Sequence, residues 1–302
     1  MAKKSRPHLS VMLQEFLDFF SENQIKTFFE GTLGAGGHAE KLLESHPEIK
    51  TYIGCDRDPV ALELAEKQLA PWKKKLVLVE GDFADIDEIL KEKKVKSIDG
   101  CFFDLGVSSM QLDQGERGFS FSKEGPLDMR MGDMRMGRSS ALNAEEIVNK
   151  WTEKKLGDIF REYGEEPRWR KAAKAIIDAR RKKPIKTTLE LADVIINSIG
   201  RSRKKLHPAT LVFQALRICV NNELGALKDG LSKAIEKLSS GGRLGVISFH
   251  RLEDRIVKEM FKEAYQNKTL KILTKKPLVP TSQEIKINPR SRSAKMRFAE
   301  KI

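Results

Sequence analysis

The sequence predicts an α/β fold with a mostly parallel sheet that is interrupted by a helical insertion. Short apolar segments alternate with helix-like segments over roughly the first third of the chain and again near its C-terminus. Such alternation favours parallel strands joined by helices. The first strand also runs into a glycine-rich turn, Gly31–His38. Glycine permits sharp turns and close approach of the backbone to a ligand. The middle of the chain carries helical patterns alone.

The individual elements follow from residue periodicity. Apolar or alternating runs predict strands at 26–30, 51–55, 76–80, 97–105 and 243–249, with a final edge strand at 294–299. Apolar residues at helical spacing predict helices at 8–20, 39–44, 59–69, 86–93, 207–223, 227–238 and 252–265. Similar spacing predicts the inserted helices at 144–150, 156–163, 169–183 and 189–199. The stretch at 110–140 is rich in glycine and methionine and predicts a long functional or disordered loop.

Polar residues follow four of the predicted strands. The turn Glu30–Gly37 ends the first strand, Asp56 the second, Asp82 with Phe83 the third, and Asp104 the fourth. Ligands of parallel α/β sheets bind beyond the carboxyl ends of the strands. The four strand ends therefore predict one ligand site.

The spacing of the turn indicates a nucleoside ligand. Gly34, Gly36 and Ala39 fit a dinucleotide-binding pattern, and Asp56 follows Gly34 by 22 residues, where an acid can accept ribose hydroxyls. NAD and S-adenosylmethionine (SAM) share the adenosine and fit this spacing equally well. A purely structural glycine turn is the third interpretation.

Composition limits the compartment and the class of protein. The chain has 302 residues, of which 40% are hydrophobic and 33% charged. It has neither an apolar run of the roughly 18–20 residues that a membrane helix needs nor a signal-peptide pattern. Cys55, Cys101 and Cys219 are widely spaced in apolar contexts, which indicates free thiols rather than disulfides or a zinc site. We therefore expect a cytoplasmic protein that does not bind membranes.

The net charge of +13 is concentrated in two segments. Residues 168–205 carry a net charge of +10, residues 266–302 carry +8, and the rest of the chain carries −5. Clustered positive charge suits a nucleic acid, although a solvated helix end is the alternative for each segment. The candidate RNA-binding residues are Arg180, Arg181, Lys182, Lys183, Arg290 and Arg292.

A set of motifs in fixed order runs nearly from end to end. They are Gly31–His38, Asp56–Pro59, Asp104–Ser109, Gln111–Asp113, Glu116–Phe121, Gly125–Met131, Tyr163–Glu166, His207–Thr210, Phe213–Ile218, Ser248–His250, Leu252–Lys258 and Asn288–Ser293. With these motifs the chain resembles the ribosomal RNA small subunit methyltransferase H family. That family transfers methyl from SAM to the N4 of a cytidine in the decoding region of 16S rRNA.

The resemblance implies a SAM-dependent methyltransferase (Rossmann-like) sheet domain, residues 1–111 and 208–302, with an inserted helical substrate-recognition domain at 112–207. It implies cofactor contacts at Gly36, Gly37, His38, Asp56, Phe83, Asp104 and Gln111. It also implies 16S rRNA or the small ribosomal subunit as partner, while the oligomeric state, including a homodimer, stays open. Two departures stand out: Glu30 replaces the usual Asp, and Arg251 follows His250 where Ser is common.

The chemistry leaves the proton acceptor open. The N4 amine is a weak nucleophile that must be held in line with the methyl donor at ~3–3.5 Å. Asp104, Ser108 and His250 are candidates to accept its proton, and no metal-ligand pattern is evident. Two other function classes, an NAD-dependent oxidoreductase and a non-catalytic RNA-binding protein, remain alternatives.

Overall fold

The computed structural model describes residues 9–132, 142–200 and 207–302. Residues 1–8, which include the first residue of the predicted helix 8–20, lie outside these ranges. Residues 133–141, which include the end of the predicted loop 110–140, also lie outside them. The chain divides into two compact units, Met1–Gly106 with Leu224–Ile302 and Val107–Glu223. We call them the sheet unit and the helical unit.

The sheet unit contains a seven-stranded sheet. Its strands are β1 (Thr27–Glu30), β2 (Thr51–Asp56), β3 (Leu76–Glu80), β4 (Ile98–Asp104), β5 (Leu238–Ser248), β6 (Leu270–Ile272) and β7 (Lys295–Lys301). The order across the sheet is β3-β2-β1-β4-β5-β7-β6. The first five strands run parallel, and β7 runs antiparallel to both β5 and β6. The predicted α/β class is confirmed.

The prediction that the last strand lies at the edge of the sheet was wrong. β7 is an internal strand between β5 and β6, and the edge is formed by β6. With only three residues, β6 is too short to give a recognisable alternating pattern.

Thirteen α-helices are assigned in the described ranges. They are α1 (Leu13–Phe20), α2 (Gly37–Ser45), α3 (Pro59–Gln68), α4 (Ile86–Glu92), α5 (Ser109–Asp113), α6 (Ala144–Lys150), α7 (Glu153–Glu162), α8 (Trp169–Lys182), α9 (Thr188–Ile199), α10 (Thr210–Asn221), α11 (Glu223–Lys237), α12 (Arg251–Gln266) and α13 (Ser282–Ile287). The sequence predicted all of them except α5 and α13, which are short.

Apolar residues on both faces of the sheet position its strands. Successive side chains of a strand point to opposite faces, so that adjacent phenylalanines serve two cores. Phe29 and Phe103 lie in one buried cluster, and Phe28 and Phe102 lie in the other. This two-sided burial fixes the register of the parallel strands and therefore the place where their carboxyl ends meet.

The helical unit packs α6 to α10 around its own apolar core. The core includes Val212, Phe213 and Leu216 of α10. The predicted insert of 112–207 is therefore too short, because α10 belongs to this core and the unit extends from 107 to 223. The capping box of Thr187 and Glu190 fixes the start of α9.

The described part of the glycine-rich loop is anchored to the helical unit. The Asn221 side chain accepts the Met131 N–H at 2.9 Å and donates to the Met129 carbonyl at 2.8 Å. The Arg117 guanidinium donates to the Met131 carbonyl at 2.9 Å. Met129 and Leu127 are buried in the helical core. These contacts tie residues 117, 127, 129 and 131 to the helical unit.

Candidate functional site

The glycine turn connects β1 to α2 at the carboxyl edge of the sheet. The Gly31 N–H donates to the Phe102 carbonyl at 3.0 Å, and a Cβ at this position would collide with the ring of Phe103. Gly36 precedes α2 with φ +85°, in the left-handed region that favours glycine. Among the described residues no side chain caps α2. The N-terminus of the helix therefore presents backbone donors that suit a carboxylate.

Asp56 at the end of β2 fixes the shape of this turn. Its Oδ2 accepts the Gly34 N–H at 2.7 Å, and its Oδ1 accepts the Asp58 N–H at 2.9 Å. Desolvation raises the pKa of Asp56 to about 6, although both backbone hydrogen bonds lower it. Each carboxylate oxygen can accept a second hydrogen bond. Asp56 can therefore bind ribose hydroxyls while it continues to hold the turn.

Glu30 at the end of β1 is fully buried beside Tyr52 of β2. The Tyr52 hydroxyl donates to Glu30 Oε2 at 2.6 Å, and Glu30 Oε1 has no hydrogen-bond partner in the described structure. Burial holds the pKa of Glu30 well above its ordinary value, and the carboxyls of Asp104 and Asp56 raise it further.

Asp104 at the end of β4 is less enclosed than Glu30, since its side chain is 24% exposed. Its N–H donates to Thr32 Oγ1 at 2.6 Å, which fixes the backbone beside the glycine turn. Its Oδ1 is buried and lacks a hydrogen-bond partner among the described residues. Burial, and then the charge of Glu253, raises the pKa of Asp104 to about 7. The carboxyl therefore titrates close to neutral pH.

His38 lies under the site rather than at its surface. It is 5% exposed, and its ring packs edge-on against Phe16 and Phe102 with centroid distances of 5.0 Å. Its Nε2 lies 3.0 Å from the Val11 carbonyl oxygen, and its Nδ1 lies 3.9 Å from Asp104 Oδ2. His38 is the second residue of α2, and its ring links the N-terminal segment to the end of β4.

The three strand ends of β2, β1 and β4 therefore bring three carboxyl groups together. Glu30 and Asp104 each keep one buried oxygen without a hydrogen-bond partner among the described residues. A buried polar atom without a partner costs roughly 1–3 kcal/mol, and clustered carboxyls disfavour each other's ionisation. A cationic ligand removes both penalties. SAM fits this requirement, because it joins a positive sulfonium and an ammonium group to a ribose.

Phe83 lies beside Gly31 of the glycine turn, three residues after the end of β3. Its ring packs against Phe103 at 4.8 Å between centroids, and a Cβ at Gly230 of α11 would collide with it. The ring of Phe83 therefore packs against Phe103 and α11, and the residue as a whole is half-buried. A rigid, partly exposed ring beside a ribose acceptor suits a flat base such as adenine.

Gln111 and Ser108, two further predicted site residues, belong to the helical unit. The Ser108 hydroxyl accepts the Gln111 N–H at 3.2 Å, and the Gln111 side chain accepts the Ser108 N–H at 3.1 Å. This reciprocal pair is a capping box at the start of α5. The spacing of a serine and a glutamine three residues apart is its sequence signal, which our sequence interpretation missed.

His250 follows β5 at the carboxyl edge and caps α12. Its Nδ1 accepts the Glu253 N–H at 3.4 Å, and its Nε2 lies 3.0 Å from Glu253 Oε1. The Glu253 carboxylate in turn accepts the N–H groups of Phe249 and His250. The imidazole of His250 thus has a structural role in starting the helix.

The basic cluster at the end of α8 is only partly available to a polyanion. The Arg180 guanidinium donates to the Val148 carbonyl at 2.7 Å inside the helical unit. Lys183 pairs with Glu190 at 2.8 Å, and Arg181 lies 3.4 Å from Asp178. Arg181 and Lys182 are exposed. Lys183 is exposed as well, and its surface ion pair does not exclude contact with RNA. Of the four residues, Arg180 alone is tied to the backbone of the helical unit.

Arg290 and Arg292 lie on a short 3-10 helix, residues 289–293, in the sheet unit. Both are exposed, while Ser291 between them is fully buried and donates to the Asn288 carbonyl at 2.8 Å. The buried serine anchors the turn, so that the two guanidinium groups lie on the surface.

The three cysteines lack the features of nucleophiles. Cys55 and Cys101 are buried within β2 and β4, and burial raises the pKa of each thiol. Desolvation raises the pKa of Cys219 to about 11. A reactive cysteine needs a lowered pKa and access to its substrate.

In the described ranges, none of the helices has the length and hydropathy needed to cross a bilayer. Comparison with known proteins assigns the chain to a family. Residues 5–302 match the MraW methylase family. The chain is 51% identical to ribosomal RNA small subunit methyltransferase H of Protochlamydia amoebophila, over 98% of both chains.

Two further relatives carry the same name. The protein from Persephonella marina is 46% identical, over 98% of this chain and 99% of the relative. The protein from Chlamydia trachomatis serovar D is 47% identical, over 98% of this chain and 97% of the relative. Identity of this extent, together with the family match, leads to one conclusion: the chain belongs to the MraW methylase family and is a methyltransferase that uses SAM as its methyl donor.

Proposed function

We propose that the protein methylates the N4 amine of a cytidine in the decoding region of 16S rRNA, in the cytoplasm. The names of its relatives, ribosomal RNA small subunit methyltransferase H, support an rRNA substrate. The observation that carries the site assignment is the carboxyl cluster of Glu30, Asp56 and Asp104, whose two partnerless oxygens suit a cationic cofactor. In this proposal the sheet unit binds SAM and the helical unit recognises the RNA.

In this proposal, different residues of the sheet unit bind different parts of SAM. The N-terminus of α2 at Gly36, Gly37 and His38 holds the carboxylate of the methionine moiety through backbone N–H groups. Asp56 accepts the ribose hydroxyls, and Phe83 lies against adenine. Gln111 of the helical unit stays a predicted contact. When bound, the cofactor supplies an electrophilic methyl group on a positively charged sulfur.

Asp104 is the proton acceptor that we favour among the three candidates. Ser108 and His250 each accept a backbone N–H in a helix cap. Asp104 keeps an oxygen without a hydrogen-bond partner among the described residues, as His250 does at Nε2. The His250 Nε2 lies 3.0 Å from Glu253 Oε1, however, whereas the pKa of Asp104, about 7, suits a general base at neutral pH. A hydrogen bond from the N4 amine to this oxygen would localise electron density on nitrogen as the methyl group transfers. The amine's proton can then leave to Asp104 or to water.

The reaction at nitrogen is favoured over reaction at carbon 5 for a chemical reason. Methylation of carbon 5 normally begins with a nucleophile, usually a cysteine, that attacks carbon 6 of the ring. Burial raises the thiol pKa values of Cys55, Cys101 and Cys219, which leaves each thiol protonated at neutral pH. Methylation of the exocyclic amine needs no covalent intermediate, but it needs the cytidine removed from its base stack.

The deciding experiment follows the transferred methyl group. The protein is incubated with tritiated SAM and either unmodified 16S rRNA or small ribosomal subunits that lack the modification. The labelled nucleoside is then mapped and identified by mass spectrometry. We expect N4-methylcytidine in the decoding region, and the Asp104→Asn variant should give little product.

The outcomes separate the alternatives. Finding 5-methylcytidine, with loss of activity in a cysteine variant, would overturn the proposed chemistry. A protein that binds NAD(H) but not SAM would be an oxidoreductase. A protein that binds RNA but transfers no labelled methyl group to it would be a non-catalytic RNA-binding protein. Label in intact subunits but not in naked rRNA would identify the assembled particle as substrate. Light scattering of the purified protein tests for the homodimer, which stays a prediction.

A further inference from the structure

A row of basic side chains runs along the outer face of α12 in the sheet unit. Arg251, Arg255, Lys258 and Lys262 are all exposed. Their spacing of four, three and four residues places them on one side of a helix. At 1.5 Å per residue the row extends over about 16 Å. Arg251 directly follows His250 at the carboxyl edge of the sheet, so that the row begins at the edge that carries Asp104.

Folding separates this row from the acids of the same helix. Helix α12 contains four basic and four acidic residues. Glu253 is 2% exposed and caps the helix, and Asp254 is 9% exposed. Arg297 and Lys295 of β7 bind the Asp254 carboxylate at 2.7 and 3.0 Å. Two of the four negative charges are thus buried, and the exposed face carries an excess of positive charge.

An aromatic side chain completes the row. Tyr265 is 57% exposed, and it lies three residues after Lys262 and seven after Lys258. These spacings place it on the same side of α12. Exposed Glu259 and Glu263 lie along one flank of the row. Glu259 is a neighbour of Arg255 and Lys262, since it follows the first by four residues and precedes the second by three.

We propose that this face of α12 is a second RNA-binding surface, separate from the basic cluster on α8. The inference rests on the proposed function, because it takes RNA as the substrate. The occupant that fits is a single strand of rRNA flanking the target cytidine. A line of cations matches a line of phosphates, and an exposed tyrosine offers a platform on which a base can stack.

Neutralising the row tests the phosphate contacts. The triple variant Arg255→Gln/Lys258→Gln/Lys262→Gln keeps Arg251, which is close to the site, and uses a good helix former. The matched control, Lys91→Gln/Lys93→Gln/Lys96→Gln, removes three exposed lysines that precede β4, at the opposite edge of the sheet. The probe is an unmodified small-subunit rRNA transcript, and its Kd is measured over a range of salt concentrations.

We expect a shallower salt dependence for the row variant alone. Each lost phosphate contact with a single strand lowers the slope of log K against log salt by about 0.7, which gives about 2 for three contacts. The control should keep the slope of the unmodified protein, and both variants should bind SAM normally by calorimetry. Tyr265→Ala should weaken RNA binding about fivefold or more without changing the salt slope. Tyr265→Phe keeps the aromatic ring and should bind RNA as tightly as the unmodified protein.

The possible results distinguish this inference from the proposed function. The unmodified protein could methylate the transcript while the row variant binds it with the same salt slope as the unmodified protein. In that case the proposal for α12 is wrong and the proposed function stands. If the row variant binds the transcript normally but loses binding to assembled subunits, a ribosomal protein occupies the surface, and the RNA proposal is wrong. If the unmodified protein neither binds nor methylates rRNA, whether as the transcript or in assembled subunits, the proposed function fails, and this inference fails with it.

Discussion

The ring of His38 joins the Val11 carbonyl on one side to the Asp104 carboxyl on the other. Its Nε2 lies 3.0 Å from the Val11 oxygen, and its Nδ1 lies 3.9 Å from Asp104 Oδ2. Because a carbonyl only accepts hydrogen bonds, Nε2 carries the proton and Nδ1 presents a lone pair in the neutral ring. The lone pair does not stabilise an ionised Asp104, which is consistent with the raised pKa of that carboxyl.

The affinity for SAM should therefore rise with pH. Burial raises the pKa of Asp104 to about 7 in the unliganded protein, and a cationic cofactor favours the ionised carboxyl. Below pH 7 binding must release the proton of Asp104, so that affinity falls as pH falls. We expect binding to be roughly tenfold weaker at pH 6 than at pH 8.

Calorimetry in two buffers of different ionisation enthalpy counts the protons released on binding. The Asp104→Asn variant is the control, since it lacks this titrating group and should show a shallower profile between pH 6 and 8. The slope that remains belongs to Asp56, whose pKa is raised to about 6, and to Glu30, whose pKa is also raised. An affinity of the unmodified protein that does not change over this range would contradict the placement of Asp104 beside the cofactor.

Removal of Asp56 should weaken SAM binding at least tenfold. The Asp56→Ala variant loses two ribose hydrogen bonds to a charged acceptor, each worth roughly 1.5–3 kcal/mol. It also leaves the N–H groups of Gly34 and Asp58 without their acceptor, so thermal unfolding must be recorded and affinity measured well below the transition. Glu63→Ala, on an exposed position of α3, is the control. An unchanged affinity in a folded Asp56→Ala protein would remove Asp56 from the site.

The Tyr52→Phe variant should destabilise the sheet unit. The change preserves the ring but deprives the buried Glu30 carboxyl of the Tyr52 hydroxyl, which donates to it at 2.6 Å. Loss of a hydrogen bond to a buried group costs roughly 1–3 kcal/mol. Urea denaturation measures the change in the free energy of unfolding, and the exposed Tyr265→Phe serves as control. Equal stability of the two variants would show that the pair contributes nothing to the fold.

Reversal of charge on α8 should separate RNA binding from stability. Reversal of all four residues, Arg180 to Lys183, would combine the two effects, because Arg180 holds the Val148 carbonyl. The double variant Arg181→Glu/Lys182→Glu changes exposed positions only. It should weaken RNA binding and flatten its salt slope by about 0.7–0.9 for each lost phosphate contact.

The controls for α8 are SAM affinity and the Arg180→Ala variant. SAM affinity should be unaffected by the double variant, since the cluster lies in the helical unit. Arg180→Ala should instead lower the stability of that unit. If the double variant binds RNA as tightly as the unmodified protein, the cluster is a solvated helix end.

Local features of the site could be predicted from the sequence. The glycine turn, the acid 22 residues later and the ends of the strands follow from short-range rules of backbone conformation and periodicity. The positions of Asp56 and Phe83 were predictable for this reason. The capping box of Ser108 and Gln111 is equally local, and its signal was present in the sequence although we did not use it.

Contacts between distant segments were decided by tertiary structure alone. The sequence by itself determined the α/β class, the glycine turn and the two strongly basic segments. It did not reveal that Tyr52 meets Glu30, that His38 meets Val11, or that β6 forms the sheet edge. Helix α12 shows the reason most directly: its formal charges cancel along the chain. The fold buries Asp254 against Arg297 and Lys295, some 40 residues away, and leaves the basic row outside. The net charge of a segment can be counted from its sequence. The charge that its surface presents depends on which of its charged side chains are buried in the folded protein.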